Sequence, residues 1–250
     1  PNPRPHPAAL RHGEIQMLFD DLFFVTGCVE FTKGLTGQVS RNMTIVRTGK
    51  KLTLINTVRL NEAGLKVLDL LGEVTDIIRL CSYHGMDDPF YKERYDAQVW
   101  SVDATYDASK EQIPKPEEIY FNPDIVLTNG SKIPIPDAEY IELTSSNPKE
   151  AVLWLHKENG IIISGDSFQN MYIRDPFHNI FGKLMLKLGG FLKYYNIGPA
   201  WYRVAKPRKE EILSVLNREF QNLIPAHGKP VIGDAFNLYR PAVSRLREHL

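Results

Sequence analysis

Residues 151–166 of the 250-residue chain have the sequence AVLWLHKENGIIISGD. Two apolar runs, Ala151–His156 and Ile161–Ser164, flank an Asn-Gly pair at 159–160, and this pattern predicts a β-hairpin. The second run leads directly into a Gly-Asp pair that ends at Asp166. Side chains just after a buried strand lie at a sheet edge, where catalytic and ligand groups are common. The stretch therefore predicts a sheet with a functional group at one end.

Upstream of this hairpin, the chain alternates strand and helix patterns. Short runs rich in Val, Ile, Phe and Thr predict strands at Ile15–Phe19, Leu22–Val29, Val39–Val46, Lys51–Val58, Thr75–Cys81 and Ala97–Val102. Periodic apolar residues after Asn61 predict a helix that ends at Gly72, and Pro89 predicts the start of a second helix that runs to Tyr95. Such alternation is typical of an α/β fold.

Further patterns predict one more hairpin, a short strand and three helices. Asp124–Leu127 and Lys132–Ile135 flank a second Asn-Gly pair, and Leu223–Ala226 is the short strand. The helical patterns lie near Phe177–Leu188, at Lys209–Asn222 and at Asp234–His249. Because both halves contain strands and helices, we expect one domain over residues 15–250, with two packed sheets between helices. The proline-rich residues 1–14 are expected to be extended or disordered.

Three strand ends carry side chains of the kind that bind metal ions. They are the loop His84–Asp88, Asp166 and His227. Each is a weak signal alone, because a Gly-Asp or His-Gly pair also marks an ordinary tight turn. Their common position after predicted strands indicates that they could meet in one crevice.

The order and spacing of these segments, from Leu22 to His227, resemble the metallo-β-lactamase superfamily of hydrolases. In that family a strand ends in a His-x-His-x-Asp-His loop, a later hairpin ends in Gly-Asp, and a last histidine follows a short strand. The corresponding positions here are residues 83–88, Asp166 and His227. The resemblance implies a four-layer αββα sandwich. Residues 42–95 are most similar to an uncharacterised bacterial branch of the fold, in which the histidine loop is also altered.

The chain departs from the family at the histidine loop. Aligned without gaps, Tyr83 and Gly85 replace the first two histidines and Asp88 replaces the third, whereas Asp87 keeps the aspartate. The mid-chain histidine of the family falls near Asn147. One of the two metal sites of the family has therefore lost its three ligands, and the resemblance implies that a second site is retained.

The resemblance implies that Asp87, Asp88, Asp166 and His227 hold this second metal, with His84 as a further ligand if the loop is shifted by one residue. Three carboxylates and an imidazole form a hard ligand set that favours Mg, Mn or Fe(II), although zinc also accepts Asp and His. The expected cofactor is one divalent ion of Zn, Fe or Mn, and a chain without metal is the alternative. Asp88 before a proline is also typical of a helix cap.

A metal of this kind predicts hydrolysis, because a bound cation lowers the pKa of water and polarises the scissile group. Asp87 is the predicted group that orients this water or takes its proton. The expected substrate is a small ester, thioester, lactone or phosphoester. The lost histidines leave a second hypothesis open, in which an inactive relative binds a small anion or a protein partner.

Composition narrows the class of protein. Thirty Lys/Arg balance thirty Asp/Glu, and 43% of the residues are hydrophobic, which excludes a mainly disordered chain. Two cysteines, Cys28 and Cys81, are too few for a disulfide framework, so we expect a cytoplasmic location. No apolar run reaches the roughly 18–20 residues of a membrane span. Basic and aromatic residues do not interleave as they do in nucleic-acid-binding proteins, so the expected partner is a small-molecule substrate.

Residues 181–195 mix apolar residues with lysines at helical spacing. The segment opens a basic region, since Lys183 to Leu250 contains twelve Lys/Arg and five Asp/Glu. We expect a core helix with its lysines outward. A lid, a dimer face or peripheral contact with a membrane surface, without stable insertion, are the alternatives. The sequence does not indicate the oligomeric state.

Overall fold

The computed structural model describes residues 6–33, 35–111, 113, 115 and 117–249. The strands are β1 (Gln16–Phe19), β2 (Leu22–Lys33), β3 (Leu35–Thr48), β4 (Lys51–Ile55), β5 (Glu73–Arg79), β6 (Gln98–Val102), β7 (Tyr106–Asp107), β8 (Ile119–Phe121), β9 (Ile125–Leu127), β10 (Ala138–Leu143), β11 (Glu150–Leu155), β12 (Ile161–Ile163), β13 (Phe168–Gln169), β14 (Asn196–Ile197) and β15 (Asn222–Ile224). The helices are α1 (Glu62–Leu71), α2 (Asp88–Tyr95), α3 (Ile180–Leu188), α4 (Pro199–Ala205), α5 (Lys209–Leu216) and α6 (Ala235–Ser244).

Two main sheets form the middle of the molecule. The first has the strand order β1-β2-β3-β4-β5-β6-β9 and is antiparallel up to β4 and parallel beyond it. The second has the order β10-β11-β12-β15, in which β12 and β15 are parallel. Two short pairs, β7 with β8 and β13 with β14, lie outside these sheets.

Three apolar clusters separate four layers. The cluster between the sheets takes residues from both, including Leu22, Val46 and Ile78 of the first sheet and Leu153, Ile163 and Ile224 of the second. The outer face of the first sheet packs on α1 and α2 through Leu65 and Tyr91. The outer face of the second packs on α4, α5 and α6 through Trp201, Ile212 and Tyr239. The order helix, sheet, sheet, helix confirms the predicted αββα sandwich.

The two predicted hairpins have different outcomes. β11 and β12 form the hairpin expected around residues 159–160, with Leu155 opposite Ile161. The hairpin predicted from Asp124–Leu127 and Lys132–Ile135 is wrong, because β9 pairs with β6 and the chain then crosses to the second sheet. Ile135 is buried between the two sheets, so its apolar character reflects packing and not strand pairing.

The described part of the N-terminal segment runs along the first sheet. Residues 6–14 contain neither a helix nor a strand, and His12 forms an isolated bridge with Gly27. Residues 1–5, the other part of the segment predicted to be extended or disordered, lie outside the described residues. None of the six helices combines the length and apolarity that crossing a bilayer requires, within the ranges described above.

Candidate metal centre

Three strands bring polar side chains to one edge of the sandwich. β5 is followed by the loop that contains Cys81 and His84, and Cys81 bridges to Glu150 at the start of β11. β12 is followed by Asp166, and its parallel neighbour β15 is followed by His227. Because parallel strands end at the same edge, Asp166 and His227 come together from distant parts of the chain.

His84, Asp166 and His227 meet in one tight cluster. The Nε2 atom of His84 lies 3.0 Å from Asp166 Oδ1, and the Nε2 atom of His227 lies 3.1 Å from the same oxygen. The two Nε2 atoms are 3.1 Å apart. Cys81 is beside them, with its Sγ 3.8 Å from Asp166 Oδ2. The side chain of His84 is 4% exposed, and those of Asp166 and His227 are each 14% exposed, so the cluster is largely shielded from solvent.

Hydrogen bonds and burial set the protonation of these groups. His227 Nδ1 donates to the backbone oxygen of Ser40 at 2.6 Å, which leaves its Nε2 facing Asp166. Burial lowers the pKa of His84, although Asp166 opposes this effect. Burial raises the pKa of Asp166, but the charges and hydrogen bonds of His84 and His227 outweigh it and bring the pKa well below its ordinary value. Burial lowers the pKa of His227, but Asp166 and the Ser40 carbonyl outweigh this effect and raise the pKa above its ordinary value. A carboxylate and a neutral imidazole are the forms that bind metal ions, so metal binding at His227 competes with its proton.

This donor set suits a zinc ion. Two imidazole nitrogens and a carboxylate oxygen are ordinary zinc ligands, and bonds of about 2.0–2.2 Å in tetrahedral geometry place donor atoms about 3.3–3.6 Å apart. The observed separations of 3.0–3.1 Å are close to this spacing. Cys81, His84 and Asp166 also offer ligand atoms within 4.8 Å of one another. Burial raises the pKa of the Cys81 thiol well above its ordinary value, so Cys81 is the weaker donor.

Asp87 and Asp88, which the sequence placed in the ligand set, have other partners. Asp87 Oδ2 accepts from Arg41 Nη2 at 2.5 Å and from the backbone N–H of Arg59 at 2.8 Å. Asp88 accepts from Thr57 Oγ1 and from the Tyr106 hydroxyl, each at 2.5 Å. The structure therefore brings together His84, Asp166 and His227, whereas Asp87 and Asp88 bond to other residues.

The start of α2 explains this difference. The helix begins at Asp88, and Asp87 is its N-cap residue, without a side-chain capping bond. Both carboxylates instead accept hydrogen bonds from residues of β3, of β7 and of the loop after β4. Asp88 was predicted as the cap, which is one residue beyond the observed position. Asp87 is paired to Arg41 and is not part of the cluster of His84, Asp166 and His227, and its predicted role of orienting water stays a prediction.

Two residues of the site were missed in the sequence. Cys81 was named in the sequence only as one of two cysteines that are too few for a disulfide framework. Glu150 is fully buried, and its Oε1 accepts from Ser167 N at 2.6 Å. Burial and the neighbouring charge of Asp166 raise the pKa of Glu150 well above its ordinary value. A glutamate at the first position of the apolar strand β11 is the signal that could have found it.

A cavity of about 330 Å³ opens beside the cluster. Asp166 and His227 contribute to its wall. The remaining wall is mainly apolar and is formed by Val39, Tyr83, Pro148, Gln169, Met171, Leu186, Phe191, Ala200, Trp201, Val204 and Ala205. The cluster of His84, Asp166 and His227 thus adjoins a space of the size that holds small ligands.

Structural comparison finds the same architecture in solved enzymes. The metallo-β-lactamase FIM-1 from Pseudomonas aeruginosa, solved in a mono-zinc form, matches with a TM-score of 0.62 and 14% identity over 96% of this chain and 97% of that chain. VMB-1 matches with a TM-score of 0.63 and 12% identity, over 92% and 96%. A metallo-β-lactamase from Hirschia baltica gives 0.56 and 15%, over 92% and 97%. No protein-family model and no curated protein matches the sequence.

Proposed function

The chain has the metallo-β-lactamase fold, and we propose that it is a metal-dependent hydrolase with His84, Asp166 and His227 as its metal ligands. The observation that carries this proposal is the approach of three ligand atoms, from three strand ends, to within 3.1 Å of one another. A divalent cation between these three groups would accept an electron pair from each imidazole and from the carboxylate.

The proposed cofactor is a single zinc ion. The ligand set predicted from the sequence contained three carboxylates and therefore favoured a metal ion harder than zinc. With Asp87 and Asp88 bound elsewhere, the set contains two imidazoles and one carboxylate, which shifts the preference from Mg and Mn toward zinc. When bound, the ion would polarise the scissile carbonyl and lower the pKa of water.

The residues of the chain have separate roles in this proposal. The Ser40 carbonyl holds His227 in the tautomer that presents Nε2 to the metal. Asp166 Oδ1 faces both imidazoles, while its Oδ2 has Cys81 Sγ at 3.8 Å as its neighbour. We propose that Asp166 Oδ2 accepts a hydrogen bond from the attacking water and orients it. In this proposal Asp166 takes the role that was predicted for Asp87.

The cavity favours a carbonyl substrate. Among the described residues that line it there is no Lys or Arg, so a phosphoester would lose its hydration without gaining a cationic partner from this wall. A small ester, thioester or lactone has no such cost. The same feature disfavours the first form of the second hypothesis, in which an inactive relative binds a small anion, and leaves its second form, a protein partner, untested.

Metal content and hydrolysis test this proposal together. Protein purified without chelators should contain about one zinc per chain by elemental mass spectrometry. It should hydrolyse p-nitrophenyl acetate or a thioester analogue, lose this activity on chelation and regain it with zinc. His227→Ala should lose both metal and activity.

His156→Ala is the matched control, because His156 is 40% exposed and pairs with Glu139 on another face. It should keep the metal and the activity. Wild-type protein without metal, or hydrolysis that survives in His227→Ala, would contradict the proposal.

A further inference from the structure

The first half of β3 pairs with β2 along one edge only. β4 pairs with β3 from Thr44 onward, and among the described strands none pairs with the other edge of residues 36–42. In an antiparallel strand, alternate residues direct both their N–H and their C=O groups toward the same edge. Gln38, Ser40 and Asn42 face this open edge, and their backbone groups bond to segments that lie much later in the chain.

Ser40, the middle residue of the three, lies between two histidines. Its backbone N–H donates to His178 Nδ1 at 3.0 Å, and its carbonyl oxygen accepts from His227 Nδ1 at 2.6 Å. His227 is a proposed metal ligand, whereas His178 lies just before α3 and is not part of the cluster. The backbone of one residue therefore connects a ligand of the centre with a second buried imidazole.

The bond to Ser40 defines which ring nitrogen of His178 carries the proton. A backbone N–H can only donate, so Nδ1 has a free lone pair and the proton of the neutral ring is on Nε2. Nε2 faces Asp175, whose Oδ2 is 3.7 Å away. Both side chains are buried, and burial lowers the pKa of His178, although Asp175 opposes this effect. His178 is therefore held as a neutral acceptor for the Ser40 N–H.

The segment around His178 is fixed to the same edge of β3. The backbone N–H of Asn179 donates to the Gln38 backbone oxygen at 3.2 Å, and Asn179 Oδ1 accepts from the Gln38 N–H at 3.0 Å. α3 follows directly, and its Leu186 packs with Val39. The position of the His178 ring is therefore set by α3 and β3 and not by the metal ligands.

The direction of the Ser40 carbonyl decides how His227 meets the metal. A histidine that binds a metal through one ring nitrogen is oriented by the hydrogen bond at its other nitrogen. If residue 178 offered no acceptor, the buried Ser40 N–H would lack a partner, which costs free energy. The backbone would recover this loss by turning toward another acceptor, and that movement would carry the carbonyl away from His227 Nδ1.

We propose that His178 is a positioning residue of the metal centre, which acts through the Ser40 backbone to keep His227 in its Nδ1–H tautomer. The proposal rests on the proposed hydrolase function, and it deepens that function by extending the centre beyond its three ligands. In this arrangement Asp175, His178 and Ser40 form a row of contacts that ends at His227. His178 transfers no proton in this role and touches no substrate.

The tautomer of His227 tests the proposal before any metal is added. Long-range proton–nitrogen NMR spectra of the metal-free protein distinguish Nδ1–H rings from Nε2–H rings. At pH about 9, above the ordinary pKa of histidine, wild-type His227 should give the Nδ1–H pattern. His178→Phe keeps an aromatic ring but removes the acceptor, and His227 should then give a mixture of both patterns. If His178 only filled space, this substitution would leave the pattern unchanged.

Zinc affinity is the second readout. His178→Phe should weaken zinc binding about tenfold in competition with a chelator, the lower end of the range for groups that support a ligating histidine. His178→Asn places a side-chain oxygen close to the position of Nδ1 and so restores an acceptor for the Ser40 N–H. It should recover the Nδ1–H pattern of His227 and bring zinc affinity to within about threefold of wild type.

Asn179→Ala is the matched control, because Asn179 binds the same edge of β3 but none of its hydrogen bonds involves Ser40. The substitution removes its side-chain bonds with Gln38, Thr36 and Gly182, so it should lower the urea midpoint of unfolding. It should keep the wild-type zinc affinity and the wild-type tautomer of His227.

The proposal is overturned if folded His178→Phe has the His227 tautomer and the zinc affinity of wild type. It is also overturned if His178→Asn behaves like His178→Phe, or if Asn179→Ala weakens zinc binding equally, since general loosening of the edge would then be the cause. His178→Leu makes the same test with a smaller side chain if phenylalanine prevents folding. Failure of the hydrolase function is read separately, because the tautomer is measured without metal.

Discussion

The Nε2 atoms of His84 and His227 lie 3.1 Å apart, although 143 residues separate the two histidines along the chain. His227 donates through Nδ1 to Ser40, so its neutral form presents an acceptor at Nε2. Asp166 Oδ1 is a second acceptor at the same point, and His84 can donate to only one of them. One of these two acceptors therefore receives no hydrogen bond from His84, and its lone pair is free to bind a cation.

We expect His84→Ala to lower metal affinity at least tenfold, because it removes one of the three proposed ligands.

Asp87→Asn should keep the metal, since Asp87 accepts hydrogen bonds from Arg41 and Arg59 and is not part of the cluster. It should instead lower the free energy of unfolding by about 2–3 kcal/mol, because Arg41 then lacks a charged partner. Competition with a chromogenic zinc chelator measures the first effect, and urea unfolding measures the second. If Asp87→Asn folds but has lost its metal, Asp87 is a metal ligand after all.

The buried ion pair between Arg79 and Glu111 should be important for stability. Both side chains are 0% exposed, and Arg79 Nη2 donates to Glu111 Oε1 at 2.7 Å. Glu111→Gln should lower the free energy of unfolding by about 3–5 kcal/mol, because it leaves a buried guanidinium without a counter-charge. Asp21→Asn, at the exposed pair with Arg47, should change it by less than about 1 kcal/mol. Equal effects of the two variants in urea unfolding would refute this prediction.

Asp88 should make the protein less stable as pH rises. Burial raises the pKa of Asp88 to about 7, although hydrogen bonds from Thr57 and Tyr106 oppose the shift. Between pH about 4 and 7 the folded chain keeps a proton that the unfolded chain releases, so this contribution to stability is complete below pH about 4 and is lost as pH rises through 7.

Urea unfolding of wild type and Asp88→Asn at pH 5 and 8 checks this effect. Asparagine does not titrate, so the variant should show a smaller decrease in stability between the two pH values. The pH dependence of stability that remains in the variant then comes from the other titratable groups. Parallel slopes for the two proteins would mean that Asp88 is ionised throughout this range.

Gly198 should be needed for the position of Asp166. A Cβ at residue 198 would lie 1.9 Å from the Asp166 backbone oxygen, so Gly198→Ala must displace the loop. We expect it to reduce zinc content at least tenfold, because displaced ligands lose coordination geometry. Gly13→Ala is the control, since its nearest atom would be Phe177 Cζ at 3.4 Å, an ordinary contact. Full zinc content in Gly198→Ala would show that the loop adapts.

Local sequence patterns were sufficient for much of the fold. The Asn-Gly pair at 159–160 predicted the β11–β12 hairpin because its backbone conformation is local, with positive φ at both residues. The pair at 129–130 has the same residue types but a different outcome. Asn129 Oδ1 accepts from the backbone N–H of Glu142, and the chain passes to the other sheet. Whether a strand pairs with its neighbour in sequence or with a distant strand depends on packing that a local pattern does not contain.

The site was predictable only in part for the same reason. Asp166 and His227 follow strands, so their position at a sheet edge was accessible from the sequence. The choice between His84 and Asp87 depended on Arg41 and Arg59, which lie in other elements and bind Asp87. No spacing within the loop 84–88 reveals such partners. Glu150 was missed because its burial follows from the contact of β11 with the loop after β5.

The parallel pairing of β12 with β15 also determines when, during synthesis, the three proposed ligands can come together. Ile161 lies opposite Asn222, and His227 reaches the cluster only once β15 has been added to the edge of β12. A nascent chain that has left the ribosome only as far as Asp166 has two of the three proposed ligands, and the edge of β12 that faces away from β11 is unpaired. The complete set of proposed ligands can therefore assemble only after residue 227 has been translated, and a product terminated before β15 would leave this strand edge open to aggregation.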